Sequence, residues 1–351
     1  MIAPVTHVLP VTTIRRERLL PIAGRVVVRQ GQKVTPSDVI AEANAAPEHI
    51  MLDLVQGLAL PADQADRYIQ RRPGERVGEG DVIAGPVGIA RRVVRTPRSG
   101  RVIVAGSGRV LIEAETPAFE LRAGLPGEVV SLISDRGAVI EGSGALIQGV
   151  WGNGQFDFGL MHVLARKPED VLTADQMDVG LRGSVILAGY CGEGEVMQAA
   201  TELPVRGLVL SSMASSLVQI ASRMQFPIMI LEGFGLLPMD APAFRLLSTS
   251  DRREVALNAE VYDPYLGSRP ELIIPLPASG PPQLPNDMVE FAPDQRVRIV
   301  RAPYKSQVGT IVTLRPGLEP FPSGITAPAA DVLLENGTNV IVPLVNLEVL
   351  Q

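Results

Sequence analysis

Three short runs of the chain are apolar almost without a break: Val185-Ile186-Leu187-Ala188, Leu208-Val209-Leu210 and Ile228-Met229-Ile230-Leu231. Continuous rather than alternating hydrophobicity predicts strands buried on both faces, as in a parallel sheet. Between the runs lie two helical patterns. Val196, Ala199, Ala200 and Leu203 recur at i, i+3, i+4, i+7, and so do Leu217, Ile220, Ala221 and Met224. Each spacing places one apolar stripe on a helix. Pro204 and Pro227 end the helices ahead of the next strand. Two right-handed crossovers then give three parallel strands whose following loops share one edge. Ligands of open α/β sheets bind at that edge. The residues placed there are 189–195, 211–216 and 232–240.

Upstream the pattern changes to glycine-punctuated β. The stretch Gly31-Gln32-Lys33-Val34-Thr35-Pro36-Ser37-Asp38-Val39-Ile40-Ala41 returns as Gly74-Glu75-Arg76-Val77-Gly78-Glu79-Gly80-Asp81-Val82-Ile83-Ala84, with Gly, Val and Asp-Val-Ile-Ala at identical offsets. The echo predicts two halves of one pseudo-symmetric β unit. Between the copies, residues 62–71 read as a short amphipathic helix. Further on, residues 128–133 and 138–140 predict strands around Asp135-Arg136-Gly137, and 254–262 another strand. Prolines 270, 275, 277, 281, 282 and 285 mark a semi-rigid spacer.

The two copies resemble the hammerhead turn of biotinyl/lipoyl-type barrel-sandwich domains, and Thr96-Pro97-Arg98-Ser99-Gly100-Arg101-Val102 is similar to another strand of those families. That resemblance implies the fold over roughly residues 20–125. It does not imply a swinging arm, because the region's single lysine, Lys33, sits inside the turn motif and no carrier pair is present. Near the end of the chain come Gln295-Arg296-Val297-Arg298-Ile299-Val300-Arg301, Val308-Gly309-Thr310-Ile311-Val312, Val332-Leu333-Leu334-Glu335-Asn336-Gly337 and Val340-Ile341-Val342-Pro343. These resemble a KOW-type SH3-like barrel, although Ala302-Pro303 replaces the usual loop glycine. The resemblance implies a module that contacts protein or RNA. Asn336-Gly337 predicts a hairpin turn.

The fold expected is therefore a multi-domain, β-rich α+β chain. Its parts are an extended arm (1–20), a barrel-sandwich-like β domain (21–150), a parallel α/β domain (151–262), a Pro-rich linker (263–290) and a KOW-like SH3 barrel (291–351).

Composition narrows the chemistry. The 351 residues carry net charge −6, which offers no global attraction to nucleic acid or an anionic membrane. A single cysteine excludes an intrachain disulfide and fits a cytoplasmic setting. No apolar run is long enough to span a bilayer, and Met1–Leu20 does not read as a signal peptide.

Cys191 is the catalytic candidate: a thiol between a strand and a helix start resembles a nucleophile elbow. Glu193 and Glu195 oppose a thiolate there, and His162 is the one histidine that lies near it in sequence. Gly192, Gly194, Ser211, Ser212, Ser215 and Glu232 are the candidate ligand-binding residues at the sheet edge. Order alone likens this segment to swivelling phosphohistidine domains, but 211–216 contain no histidine. Arg296, Arg298, Arg301 and Lys305 are candidate phosphate contacts. The acidic residues of the same module balance them, which weighs against RNA. Histidines and the cysteine are scattered, so no metal site and no cofactor are expected.

The function expected is a non-enzymatic scaffold or adaptor that binds protein partners or itself through β modules. Two alternatives remain: an enzyme or small-ligand sensor using the crevice at Cys191, Ser211 and Glu232, and RNA binding through the last module.

Overall fold

The computed structural model describes residues 2–44, 48–115, 119–263, 268–277, 284–286 and 288–351. The chain is β-rich, with a few short helices. Its largest sheet holds twelve strands among the described residues. Toward one end of it Phe156–Val163, Ser184–Cys191, Gly207–Met213 and Ile228–Phe234 run parallel, in that spatial order. The three predicted runs are all there, joined by a fourth parallel strand that carries His162.

Burial explains their composition. Ile186, Ala188, Leu208, Leu210, Ile228 and Ile230 face one core, shared with Val196, Met197 and Ala200 of helix Gly194–Glu202 and with Leu217 and Ala221. Val185, Leu187, Val209, Met229 and Leu231 face a second core under helix Ala241–Ser248. With period-2 side chains and both faces covered, every position in the three runs is apolar. The second predicted helix is shorter than its pattern. It is a 3-10 turn, Ser215–Leu217, followed by Val218–Ala221, and the Ser222 hydroxyl donates to the Val218 carbonyl where the helix stops.

Beyond the parallel strands the same sheet continues antiparallel through Glu254–Asn258, Glu271–Pro275, Gly137–Gln148, Gly127–Ile133 and Lys33–Val34. The expected boundary at 150 therefore does not interrupt the sheet. Nor is the proline-rich stretch a spacer throughout. Glu271–Pro275 is an internal strand, with Leu272 and Ile274 in one core and Ile273 in another. Pro270 precedes this strand and Pro275 is its last residue, positions where a missing N–H does least harm. Pro281 and Pro282 lie outside the described residues.

The echoed sequences do not form halves of one unit. Val34, Ile40 and Ala41 of the first copy belong to one core, and Val77, Ile83 and Ala84 of the second to another. The copies are nonetheless built alike. Asp38 accepts from the Thr35 N–H and Asp81 from the Gly78 N–H. Val34 pairs with Gly127, and Val77 with Gly100. Gly31 N–H donates to the Val129 carbonyl at 2.8 Å, and Gly74 N–H to the Val102 carbonyl at 2.7 Å. Gly100-Arg101-Val102 and Gly127-Glu128-Val129 are thus a second echo, too short to notice without the pairing. A Cβ at either glycine would lie 2.3 or 2.2 Å from a cross-strand carbonyl, of Glu113 or Glu141, so neither can be replaced without moving backbone. The second unit is nested within the first. It leaves after strand Val39–Ala43 and returns before Phe119–Arg122, and these two strands pair with each other, Ala43 opposite Phe119.

The last region forms a seven-stranded sheet among the described residues, in the order Met288–Glu290, Ile2–Thr6, Leu347–Leu350, Arg296–Ile299, Val308–Leu314, Ala329–Leu334, Asn339–Pro343. The turn at Asn336-Gly337 joins its last two strands, with Gly337 at φ 84°. One strand comes from the start of the chain. Ile2–Thr6 pairs antiparallel with Met288–Glu290 and parallel with Leu347–Leu350, and Ala3 and Val5 are buried in the core of this sheet. Val8–Leu19 then crosses to Gly137–Gln148 in the large sheet. The arm is extended, but its backbone groups are paired along both sheets.

Candidate functional site

Strand Ser184–Cys191 does not end in an elbow. It runs through Cys191, with Tyr190 opposite Ser212 and Cys191 opposite Met213, while Val171–Leu172 adds on the other side. Gly189 permits this: the Asp170 carbonyl passes where its Cβ would be, 1.7 Å away, and accepts from the Tyr190 N–H. Cys191 is wholly buried. Desolvation pushes its thiol up to about 11, against a hydrogen bond to the Glu193 backbone. His162 sits opposite Ile186, five residues back along the strand from Cys191. At 3.3 Å per residue that separates them by roughly 16 Å. The thiol has neither an activating base nor access, and the nucleophile reading fails on packing.

No serine caps the 3-10 turn or the helix that follows it, and one of them braces a loop. Ser212 Oγ donates to the Leu237 carbonyl at 2.8 Å and accepts from the Leu237 N–H, tying down the loop after strand Ile228–Phe234. Ser211 is buried beside it, and Ser215 is exposed at the start of the 3-10 turn. Gly192 and Gly194 are half-buried before helix Gly194–Glu202.

Glu232 is different. It lies at the carboxyl end of Ile228–Phe234, buried, and points at the C-terminal sheet. Its Oε1 accepts from the Asp240 N–H at 2.8 Å, and its Oε2 from Arg298 Nη2 at 2.6 Å. Both side chains are 6% exposed. Burial pushes the Glu232 carboxyl up, with the Arg298 charge opposing. Arg296, two residues earlier on the same strand, bridges Asp240 and Glu335 and is held well above its usual range by the Asp240 hydrogen bond. The α/β crevice and the C-terminal sheet are thus joined by charge pairs. Of the four candidate phosphate contacts, Arg296 is held in the joint by two carboxylates and Arg298 gives it one nitrogen.

A second buried cluster flanks the first. Glu348 accepts from Thr6 Oγ1 and from Arg269 Nη1. Arg269 Nη1 also lies 2.5 Å from Thr6 Oγ1, and its guanidinium stacks 4.8 Å from the Tyr262 ring. Burial pulls the Glu348 carboxyl up, but the charges of Arg269 and Arg298 and the hydrogen bonds outweigh it and hold it below the usual carboxylate range.

Between the clusters is a cleft of about 480 Å³. Glu232, Gly233 and Phe234 form one wall and Ile299, Val300 and Leu347 another, with Arg269, Arg298, Arg301 and Lys305 around it. Arg301 and Lys305 are exposed at its mouth, and neither makes an ion pair among the described residues. Arg298 is 5% exposed, yet its Nε and Nη1 have no hydrogen-bond partner among them. A further cavity of about 520 Å³ lies across Lys305 and Ser306, on the other side of Glu232.

The structure therefore gathers Glu232, Arg298, Arg301 and Lys305, which the sequence assigned to two separate sites. Gly192, Gly194, Ser211, Ser212 and Ser215 line neither cavity. Thr6, Arg269 and Glu348 were missed. They come from the arm, the connector and the last strand, 263 positions separating Thr6 from Arg269 and 79 separating Arg269 from Glu348. No sequence window spans them. Among the described residues no group of three or more His, Cys, Asp or Glu could hold a metal ion, and no helix is long and apolar enough to cross a membrane. No protein-family model matches the chain, and no curated protein matches it in sequence, so the reading of the cleft rests on its geometry.

Proposed function

We propose that the chain is a non-enzymatic binding protein that takes a small ligand in the cleft between the α/β sheet and the C-terminal sheet. One observation carries the reading: the cleft sits at the carboxyl end of a parallel strand and is walled by charged residues from both sheets. That is where open α/β sheets hold ligands, and the volume falls in the range of small-molecule sites. The side chains around it are cations and paired carboxylates, with no nucleophile beside a base, so binding is favoured over catalysis. The test is a thermal-shift screen of charged and neutral small molecules, run in parallel on Val345→Trp. Val345 lies on the cleft wall and is 69% exposed, so tryptophan fills the mouth without entering the core. Compounds that stabilise the native chain and lose their effect in V345W support the reading. A screen in which no hit depends on Val345 ends it.

A second reading, assembly through the β modules, is favoured by the nested unit. Met51, Leu111 and Val104 stand side by side across three strands, and Met51 and Val104 are exposed. Light scattering of Met51→Asp against the native chain tests it: association that this change does not weaken counts against the surface.

A further inference from the structure

The chemistry of the cleft identifies the class of ligand, and this step rests on the binding reading above. Four cations border the cleft: Arg269, Arg298, Arg301 and Lys305. Two carboxylates border it as well, and each is committed, Glu232 to Arg298 and Glu348 to Arg269. The carboxylates therefore leave two positive charges uncompensated, and the uncommitted cations are Arg301 and Lys305.

Arg298 adds the sharper observation. A guanidinium carries five N–H donors in a planar fork. Here one nitrogen serves Glu232, while Nε and Nη1 are buried with no partner. Leaving buried donors unmet is costly, and native structures satisfy nearly all of them. Most of the remaining wall is apolar, with Phe234, Ile299, Val345 and Leu347, and Tyr262 and Ser306 are its polar members.

We infer that the cleft binds a small organic anion: a carboxylate or phosphate monoester on an apolar body. Its charged oxygens meet Arg298, Arg301 and Lys305, and its body lies against Phe234 and Leu347. Both paired edges of the guanidinium include the nitrogen held by Glu232, so Nε and Nη1 each take a separate ligand oxygen through a charge-assisted hydrogen bond. A nucleic-acid backbone suits the site less, because Arg298 lies inside the cleft and Arg296 is held by Asp240 and Glu335.

The chain supplies its own reporter. Trp151, the single tryptophan, packs edge-on against Phe234 with ring centroids 6.1 Å apart, and Phe234 lines the cleft. The experiment titrates the full chain with phenyl phosphate, benzoate, inorganic phosphate and the neutral analogue benzyl alcohol, following Trp151 fluorescence and thermal melting. Arg298 variants release Glu232 and endanger the fold, so the variant used is Arg301→Ala/Lys305→Ala, both exposed and without ion pairs among the described residues. Saturable fluorescence changes with phenyl phosphate or benzoate, weakened roughly tenfold or more in the double variant and by added salt, bear the inference out. If benzyl alcohol binds as well as the anions and V345W abolishes both, the cleft is a ligand site but not an anion site, and this inference alone falls. It also falls if no anion binds up to roughly 10 mM, if the double variant binds unchanged, or if an RNA oligonucleotide binds and phenyl phosphate does not compete.

Discussion

Replacing Arg298 by methionine keeps much of the side-chain volume and removes the charge. Glu232 then keeps the Asp240 N–H as its remaining donor and loses the cation paired with it, leaving only the more distant Arg296 charge. Two unit charges about 4 Å apart interact by about 4 kcal/mol at an effective dielectric of 20. Breaking one side of a buried pair costs about 3–5 kcal/mol in practice. Arg25 and Glu42 make a comparable contact at 2.9 Å, but their side chains are 76% and 37% exposed. An exposed pair contributes about 0–1 kcal/mol. Burial, not distance, decides the difference: R298M is expected to destabilise by about 3–5 kcal/mol, and R25M by less than about 1. Urea unfolding at pH 7, followed by Trp151 fluorescence, measures both. R298M combined with Glu232→Leu is expected to regain most of the loss, since a matched apolar pair replaces a buried ion pair nearly without cost. The sign with pH follows from burial, which raises the folded-state Glu232 carboxyl above its unfolded value. The folded chain holds that proton longer, so the R298M deficit shrinks as pH falls through the folded-state value. A loss under about 1 kcal/mol that does not change with pH, or a double variant as unstable as the two singles added, would show that Arg298 and Glu232 are not a buried unit.

Four further outcomes are expected. Iodoacetamide at neutral pH leaves Cys191 untouched in the folded chain and labels it in urea, as mass spectrometry would show; rapid labelling of the native state would restore the reactive thiol. Deleting residues 48–115 leaves the remaining chain with a cooperative melt, because the strands on either side already pair at Ala43 and Phe119; an aggregated product would count against nesting. Gly189→Ala, with the Asp170 carbonyl 1.7 Å from the new Cβ, costs more than the roughly 1–3 kcal/mol of an overpacked side chain, read as a lowered urea midpoint. Glu348→Gln lowers stability at neutral pH but flattens acid unfolding: the folded-state carboxyl lies below its unfolded value, so its contribution is present above the unfolded value and lost as pH falls through the folded one, and a variant that melts as the native chain does at pH 7 would contradict this.

Local pattern was enough for three of the four parallel strands, the helix Gly194–Glu202, the hairpin at Asp135-Arg136-Gly137 and the turn at Asn336-Gly337. Each depends on the side chains and backbone preferences of a few consecutive residues, which sequence spacing reports directly. The echo around Val34 and Val77 was equally legible, because identical turns need identical residues. Whether the copies share a core is a question of which distant strands they meet, and here Val34 found Gly127 while Val77 found Gly100. The same limit hid the arm in the C-terminal sheet and the strand within the proline-rich stretch: a five-residue strand does not announce its partners. Cys191 misled because an open turn and a buried, paired strand end look alike until the neighbouring strands are present. At the cleft, composition supplied the charges, but only tertiary structure set Arg298 against Glu232, 66 positions away, and Arg269 between Thr6 and Glu348. Sequence encodes what a residue can do. Burial decides which of its bonds are made and which donors are left open.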